Sequence, residues 1–171
     1  MSKRRWVGIS GSWRHSNPEL VADVEREVRA VLERGDGIVT GGALGVDFQA
    51  TNIALNFAPD GSRLKVILPT SLDVYAAHYR QRADEGVISK QLAERLIRQL
   101  AQVQIVGSLT SMAGEEVGQA TYYARNIEVV KVSDELLAFQ VNGSAGTGHA
   151  IEEFRRLKGV EPVVFAYTVE T

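Results

Sequence analysis

The 171-residue chain has no cysteine. That removes disulfides, thiolate-held metals and cysteine nucleophiles at once, and it fits a reducing compartment. Proline is scarce too, with 4 in all, and no low-complexity tract points to disorder. No apolar run approaches the roughly 18 residues that a membrane-spanning helix needs. The apolar stretch at Trp6 to Ile9 is too short for a secretion signal, and glycine interrupts it. The expectation is a cytoplasmic protein with no membrane partner. An excess of one charge is also missing: 19 basic and 21 acidic side chains leave −2, with no global pull toward polyanions. The basic residues Lys3, Arg4, Arg5, Arg14 and His15 read as a solvated flank.

What the chain has is apolar residues (44%) and 16 glycines. Its length suits one domain with a real core, taken as residues 1–171. Short apolar runs alternate with amphipathic helical patterns. "WVGIS" at 6–10, "GIVT" at 37–40, "LKVILP" at 64–69, "ELLAFQV" at 135–141 and "PVVFAY" at 162–167 read as strands. Asn17-Pro18 supplies a cap and a first-turn proline for a helix whose stripe is Leu20, Val21, Val24, Val28, Val31 and Leu32, closed by Gly35. Val46, Ala50, Ile53, Ala54 and Phe57 mark a second helix. Further helices are expected around Leu92 to Val103, over about 115–130, and from Ala150 to a stop at Gly159. "VQIVGSLTSM" reads equally as strand or loop, and the structure and role of residues 89–112 stay unassigned. The alternation predicts an α/β fold with a mostly parallel sheet covered by helices on both faces.

In such sheets ligands lie beyond the carboxyl ends of the strands, where strand order reverses. Three glycine-rich strand-to-helix turns fall on that edge: "GSWR" at 11–14, "GGALGVD" at 41–47 and "NGSAGTGH" at 142–149. Any one of them has an ordinary explanation, because tight turns need glycine. Three on one edge point to an anion or nucleotide site, since glycine admits close approach and a helix N-terminus favours negative charge. Ser12, Ser144 and Thr147 add hydroxyls, and Trp13 is placed either to stack on a base or to pack.

Sharper motifs fail. No G-x-G-x-x-G follows the first strand, and the third turn only approaches a P-loop, with His149 and Ala150 where lysine and Ser/Thr belong. His149, Glu152 and Glu153 share one helix face but read as a solvated helix start, so no metal site is assigned. No serine-hydrolase elbow is present.

Taken together, "GISGSWR", "GIVTGGALGVDFQATNIAL", "ARNIEVVKVSDELLAF" and "NGSAGTGHAIEEF" resemble the SLOG superfamily of Rossmann-like proteins, which includes DprA (Smf) and the LOG "lysine decarboxylase-like" phosphoribohydrolases. The resemblance implies a doubly wound Rossmann-like fold and a homo-oligomer. "GGALGVD" with "ATNIAL" is similar to the DprA pattern, with Asn52 where that family has histidine; Arg125-Asn126 and "SDELLAF" are similar to both groups. "GSAGT" is similar to the LOG signature P-G-G-x-G-T-x-x-E, which implies phosphate contacts at Gly143, Ser144, Gly146 and Thr147 and a catalytic arginine at Arg125. The LOG glutamate position holds Ala150, and Glu152 and Glu153 come two and three residues later.

The expected ligand site therefore comprises Gly11, Ser12, Trp13, Arg14, Gly41, Gly42, Gly45, Asp47, Asn126, Gly143, Ser144, Gly146 and Thr147. Arg125, Glu152 and Glu153 would act if there is chemistry. No cofactor is required, and the partner is a nucleotide or nucleotide-derived small molecule. The alternatives are DprA-like binding of single-stranded DNA and LOG-type hydrolysis of nucleoside 5′-monophosphates.

Overall fold

The computed structural model describes residues 3–171. Along the chain run β1 (Trp6–Gly11), α1 (Pro18–Glu33), β2 (Gly37–Thr40), α2 (Val46–Phe57), β3 (Leu64–Thr70) and α3 (Leu72–Asp84). They are followed by α4 (Lys90–Ile105), β4 (Leu109–Gly114), α5 (Gln119–Val132), β5 (Glu135–Val141), α6 (Ala145–Lys158) and β6 (Val163–Tyr167). The strands form one sheet in the order β4-β3-β2-β1-β5-β6, and every pairing is parallel. No helix among the described residues is long and apolar enough to cross a membrane.

Side-chain alternation along the strands feeds two faces. Val7, Ile9, Ile38, Val66, Leu68, Leu137 and Phe139 point into the larger core with α1, α2, α3 and α4. Val39, Ile67 and Leu136 point the other way, against Val129 and Val130 of α5 and Phe154 of α6. Helices thus cover both faces, as a doubly wound Rossmann-like sheet requires. From β1 to β4 the chain steps outward under one face. The connection through α5 then returns to the centre under the other face and sets β5 beside β1. That reversal opens a crevice at the carboxyl ends of β1 and β5.

Local signals explain most of the boundaries. Asn17 accepts from the Leu20 amide at 2.8 Å with Pro18 following. Gly35 (φ +98°) takes the left-handed turn after α1, and Gly159 (φ +65°) ends α6. The segment left unassigned resolves into the whole of α4 and the first part of β4. Ala93, Leu96, Leu100 and Val103 are buried, and the helix runs on to Ile105 before β4 takes the sheet edge. α3 carries no aliphatic stripe. Its buried residues are Tyr75, Ala76 and Tyr79, and so it escaped the periodicity.

Candidate functional site

The crevice is a cleft of about 790 Å³, within the size range of small-molecule sites. The β1–α1, β2–α2 and β5–α6 turns all reach it, and residues of α3 and α5 complete its lining. The three turns play different parts.

In the β2–α2 turn the polar groups are already used. The Asp47 carboxylate accepts the amides of Gly41 at 3.1 Å and Ala43 at 3.3 Å, and the Gly42 carbonyl accepts the Tyr75 hydroxyl at 3.0 Å. A side chain at Gly41 would land on the Arg125 guanidinium, one at Gly42 on Leu68, and one at Gly45 on the Ser12 carbonyl. Packing therefore accounts for all three glycines. Burial pushes the Asp47 carboxyl up to about 6, against the pull of Arg125 and the two amides.

The β1–α1 turn is partly committed. Ser12 Oγ accepts the amides of Arg14 at 3.3 Å and His15 at 3.0 Å, and Gly11 is held against Val46. Trp13 remains 45% exposed at the cleft wall, with the Arg14 guanidinium 5.4 Å from its ring centroid.

The β5–α6 turn is open. Asn142 (φ 51°) and Gly143 (φ 62°) reverse the chain in left-handed conformations. The first intrahelical bond of α6 runs from the Gly148 amide to the Ser144 carbonyl at 3.0 Å. The amides of Ala145, Gly146 and Thr147 consequently have no acceptor within the helix. Ser144 does not cap them, and its Oγ is buried with no hydrogen-bond partner. Thr147 is 3% exposed on the cleft wall, and its hydroxyl has no partner among the described residues. A Cβ at Gly146 would meet nothing within 4 Å. Buried polar groups are normally satisfied; here the Ser144 hydroxyl is enclosed without a partner, next to amides that have no helical acceptor.

Arg125, 8% exposed, brings α5 to the same point. It donates to the Gly41 carbonyl and, at 3.1 Å, to Asn126 Oδ1, but makes no direct ion pair. The Gly41 peptide thus lies between it and Asp47. Asn126 Nδ2 donates to the Gly146 carbonyl at 3.3 Å and fixes the start of α6. His149 stacks on Tyr123 at 3.9 Å, and no group of three or more metal-binding side chains converges among the described residues.

Of the expected site residues, the cleft wall includes Gly11, Ser12, Trp13, Arg14, Gly41, Asp47, Arg125, Asn126, Ser144, Gly146 and Thr147. Gly42, Gly45 and Gly143 shape the turns from outside it. Glu152 and Glu153 are not brought to the cleft. Glu152 pairs with Arg155 at 2.6 Å, and Glu153 pairs with Arg156 at 2.5 Å. The cleft wall at the LOG glutamate position is Ala150. Sequence reasoning missed His78, Tyr79 and Arg82 of α3 and Gln119, Tyr122 and Tyr123 of α5, which also line the cleft. The 78/82 spacing, one helical turn, was the available signal.

Two solved structures share the fold. DNA processing protein A from Helicobacter pylori, described for its single-stranded DNA binding mode, is 22% identical with a TM-score of 0.65; the match covers 95% of this chain and 64% of that one. DprA from Streptococcus pneumoniae is 19% identical with a TM-score of 0.54, over 95% of this chain and 58% of that one. The chain has the DprA-type Rossmann-like fold. It spans less than two thirds of either DprA chain. No protein-family model and no curated protein matches the sequence.

Proposed function

We propose that the chain binds a phosphate-bearing nucleotide in this cleft and holds it without cleaving it. The observation that carries the reading is the open donor set at the start of α6. Three first-turn amides of α6, with Ser144, Thr147 and the Arg125 guanidinium, line one cleft, a combination that suits a tetrahedral oxyanion. Holding rather than hydrolysis follows from the acids. The single carboxylate on the cleft wall, Asp47, is spent on two amides, while Glu152 and Glu153 pair outside. Calorimetric titration with nucleoside 5′-monophosphates, with chromatography of the recovered ligand, tests this. Saturable binding with the nucleotide recovered intact is expected. No binding at millimolar ligand refutes the site, and release of free base refutes the passive role.

A second reading, binding of single-stranded DNA as described for the Helicobacter protein, draws support from the fold and from exposed Trp13 beside Arg14 at the cleft wall. Aromatic stacking and phosphate neutralisation are the forces such binding uses. It predicts affinity for an oligothymidine that falls steeply with added salt. Absence of binding at low salt removes it.

A further inference from the structure

The cleft holds more positive charge than one phosphate needs. Arg14, Arg82 and Arg125 line it against the one carboxylate of Asp47, in a chain whose net charge is −2, while burial and the neighbouring Arg82 hold His78 below the ordinary imidazole range, so that it enters as a neutral hydrogen-bonding group. Arg14 belongs to the β1–α1 turn, and the other two cations stand on different helices. Arg125 stands by the open start of α6. His78 and Arg82, one turn apart on α3, line the same cleft as Val117, Gly118 and Gln119 at the start of α5. Tyr122 lies between the groups: the Arg125 guanidinium is 5.3 Å from its ring centroid, and the charges of both Arg125 and Arg82 act on its hydroxyl.

The start of α5 shares one feature with α6, free first-turn amides, although here the Thr121 hydroxyl accepts the Gly118 amide at 2.9 Å. Its first intrahelical bond runs from the Tyr122 amide to the Gly118 carbonyl at 2.9 Å, which leaves the amides of Gln119, Ala120 and Thr121 without helical acceptors. The N-cap is Gly118, and a Cβ there would meet nothing within 4 Å. Arg82 is tied only to exposed Glu85, at 3.2 Å, a contact that water screens and a phosphate displaces readily. The volume agrees, since about 790 Å³ lies high in the range of roughly 300–1,000 Å³ for small-molecule sites.

We propose that the cleft takes a ligand with two phosphate groups, a dinucleotide, with one phosphate at α6 beside Arg125 and the other between His78 and Arg82 of α3. The inference rests on the phosphate reading of the α6 site. The nucleoside joining the phosphates passes over Tyr122, where a base or sugar finds an aromatic surface.

Calorimetry with adenosine 5′-monophosphate, the 5′-phosphorylated dinucleotide pApA, and the same dinucleotide at the 5′ end of a longer strand tests it. The dinucleotide is expected to bind at least tenfold tighter than the mononucleotide. The double variant His78→Gln/Arg82→Gln should remove that advantage, as loss of a charge-assisted contact does. The longer strand matching the dinucleotide identifies a strand end as the source of the ligand; a longer strand that does not bind identifies a free dinucleotide. Equal affinity for mononucleotide and dinucleotide, or an advantage that survives the double variant, overturns the two-phosphate inference while leaving the α6 site standing. Failure of all three ligands to bind overturns both.

Discussion

Replacing Gly146 by alanine should raise stability and destroy ligand binding in one step. The glycine sits in the first turn of α6, and its backbone is not left-handed. A Cβ there meets nothing within 4 Å, so no internal contact requires glycine. Alanine restricts the unfolded chain and favours the helix, a gain of about 0.5–1 kcal/mol. For a domain of this size that corresponds to a rise of about 1–4 °C in Tm. The new methyl would occupy the position where a phosphate oxygen meets the amides of Gly146 and Thr147. The expected loss is at least tenfold in nucleotide affinity. Thermal unfolding without ligand and calorimetric titration with a nucleoside 5′-monophosphate read the two effects separately. A variant that binds as well as the parent, or one that is plainly destabilised, refutes the idea that the space above Gly146 is kept for a ligand. Gly45→Ala is the internal contrast. There φ is +73° and the Ser12 carbonyl occupies the Cβ position, so it should cost at least about 1–2 kcal/mol from the backbone alone.

Other outcomes follow from the same contacts. Ser144→Ala removes a buried hydroxyl with no partner; urea unfolding should show no loss of stability, while nucleotide titration shows weaker binding. Glu152→Gln with Glu153→Gln should leave nucleotide affinity unchanged, because both carboxylates pair with arginines outside the cleft; a large loss in the same titration would return them to the site. Asp47 titrates near 6 when folded, above its unfolded value of 3.8. Its protonated form is thus favoured by folding, and its contribution is fully present below about pH 4 and lost as pH rises through 6. Asp47→Asn should flatten that part of the profile, so that the stability difference, variant minus parent, grows between pH 4 and 6 in denaturant titrations at fixed pH. A difference that stays level across this range contradicts the assignment.

The fold was legible where local chemistry and burial agree. β1, β2, β3 and β5 are apolar runs buried on both faces, and α1 carries its cap and stripe in plain view. α3 was not legible, because it buries tyrosines whose hydroxyls bond inward to Gly42 and to each other. β4 was ambiguous because an edge strand with half-buried Leu109 and Met112 lacks the continuous apolar signature. The location of the site could be read from three glycine turns, but their separate duties could not. Only the folded structure has Asp47 absorbing the amides of the second turn, and only there do α3 and α6 line one cleft.

The place of β1 at the centre of the sheet sets the order in which the site can be assembled during synthesis. β1 acquires β2 as a neighbour early, through Trp6 and Gly37. Its other neighbour is β5, with Val7 opposite Glu135 and Gly11 opposite Phe139. Until that segment has left the ribosome, β1 presents an unpaired apolar edge, and the start of α6 has no strand to follow. Contacts this distant in sequence are slow to form, and an exposed strand edge invites mispairing meanwhile. A nascent chain arrested before residue 135 should therefore be protease-sensitive and ligand-blind, and competence should appear abruptly once α6 is complete.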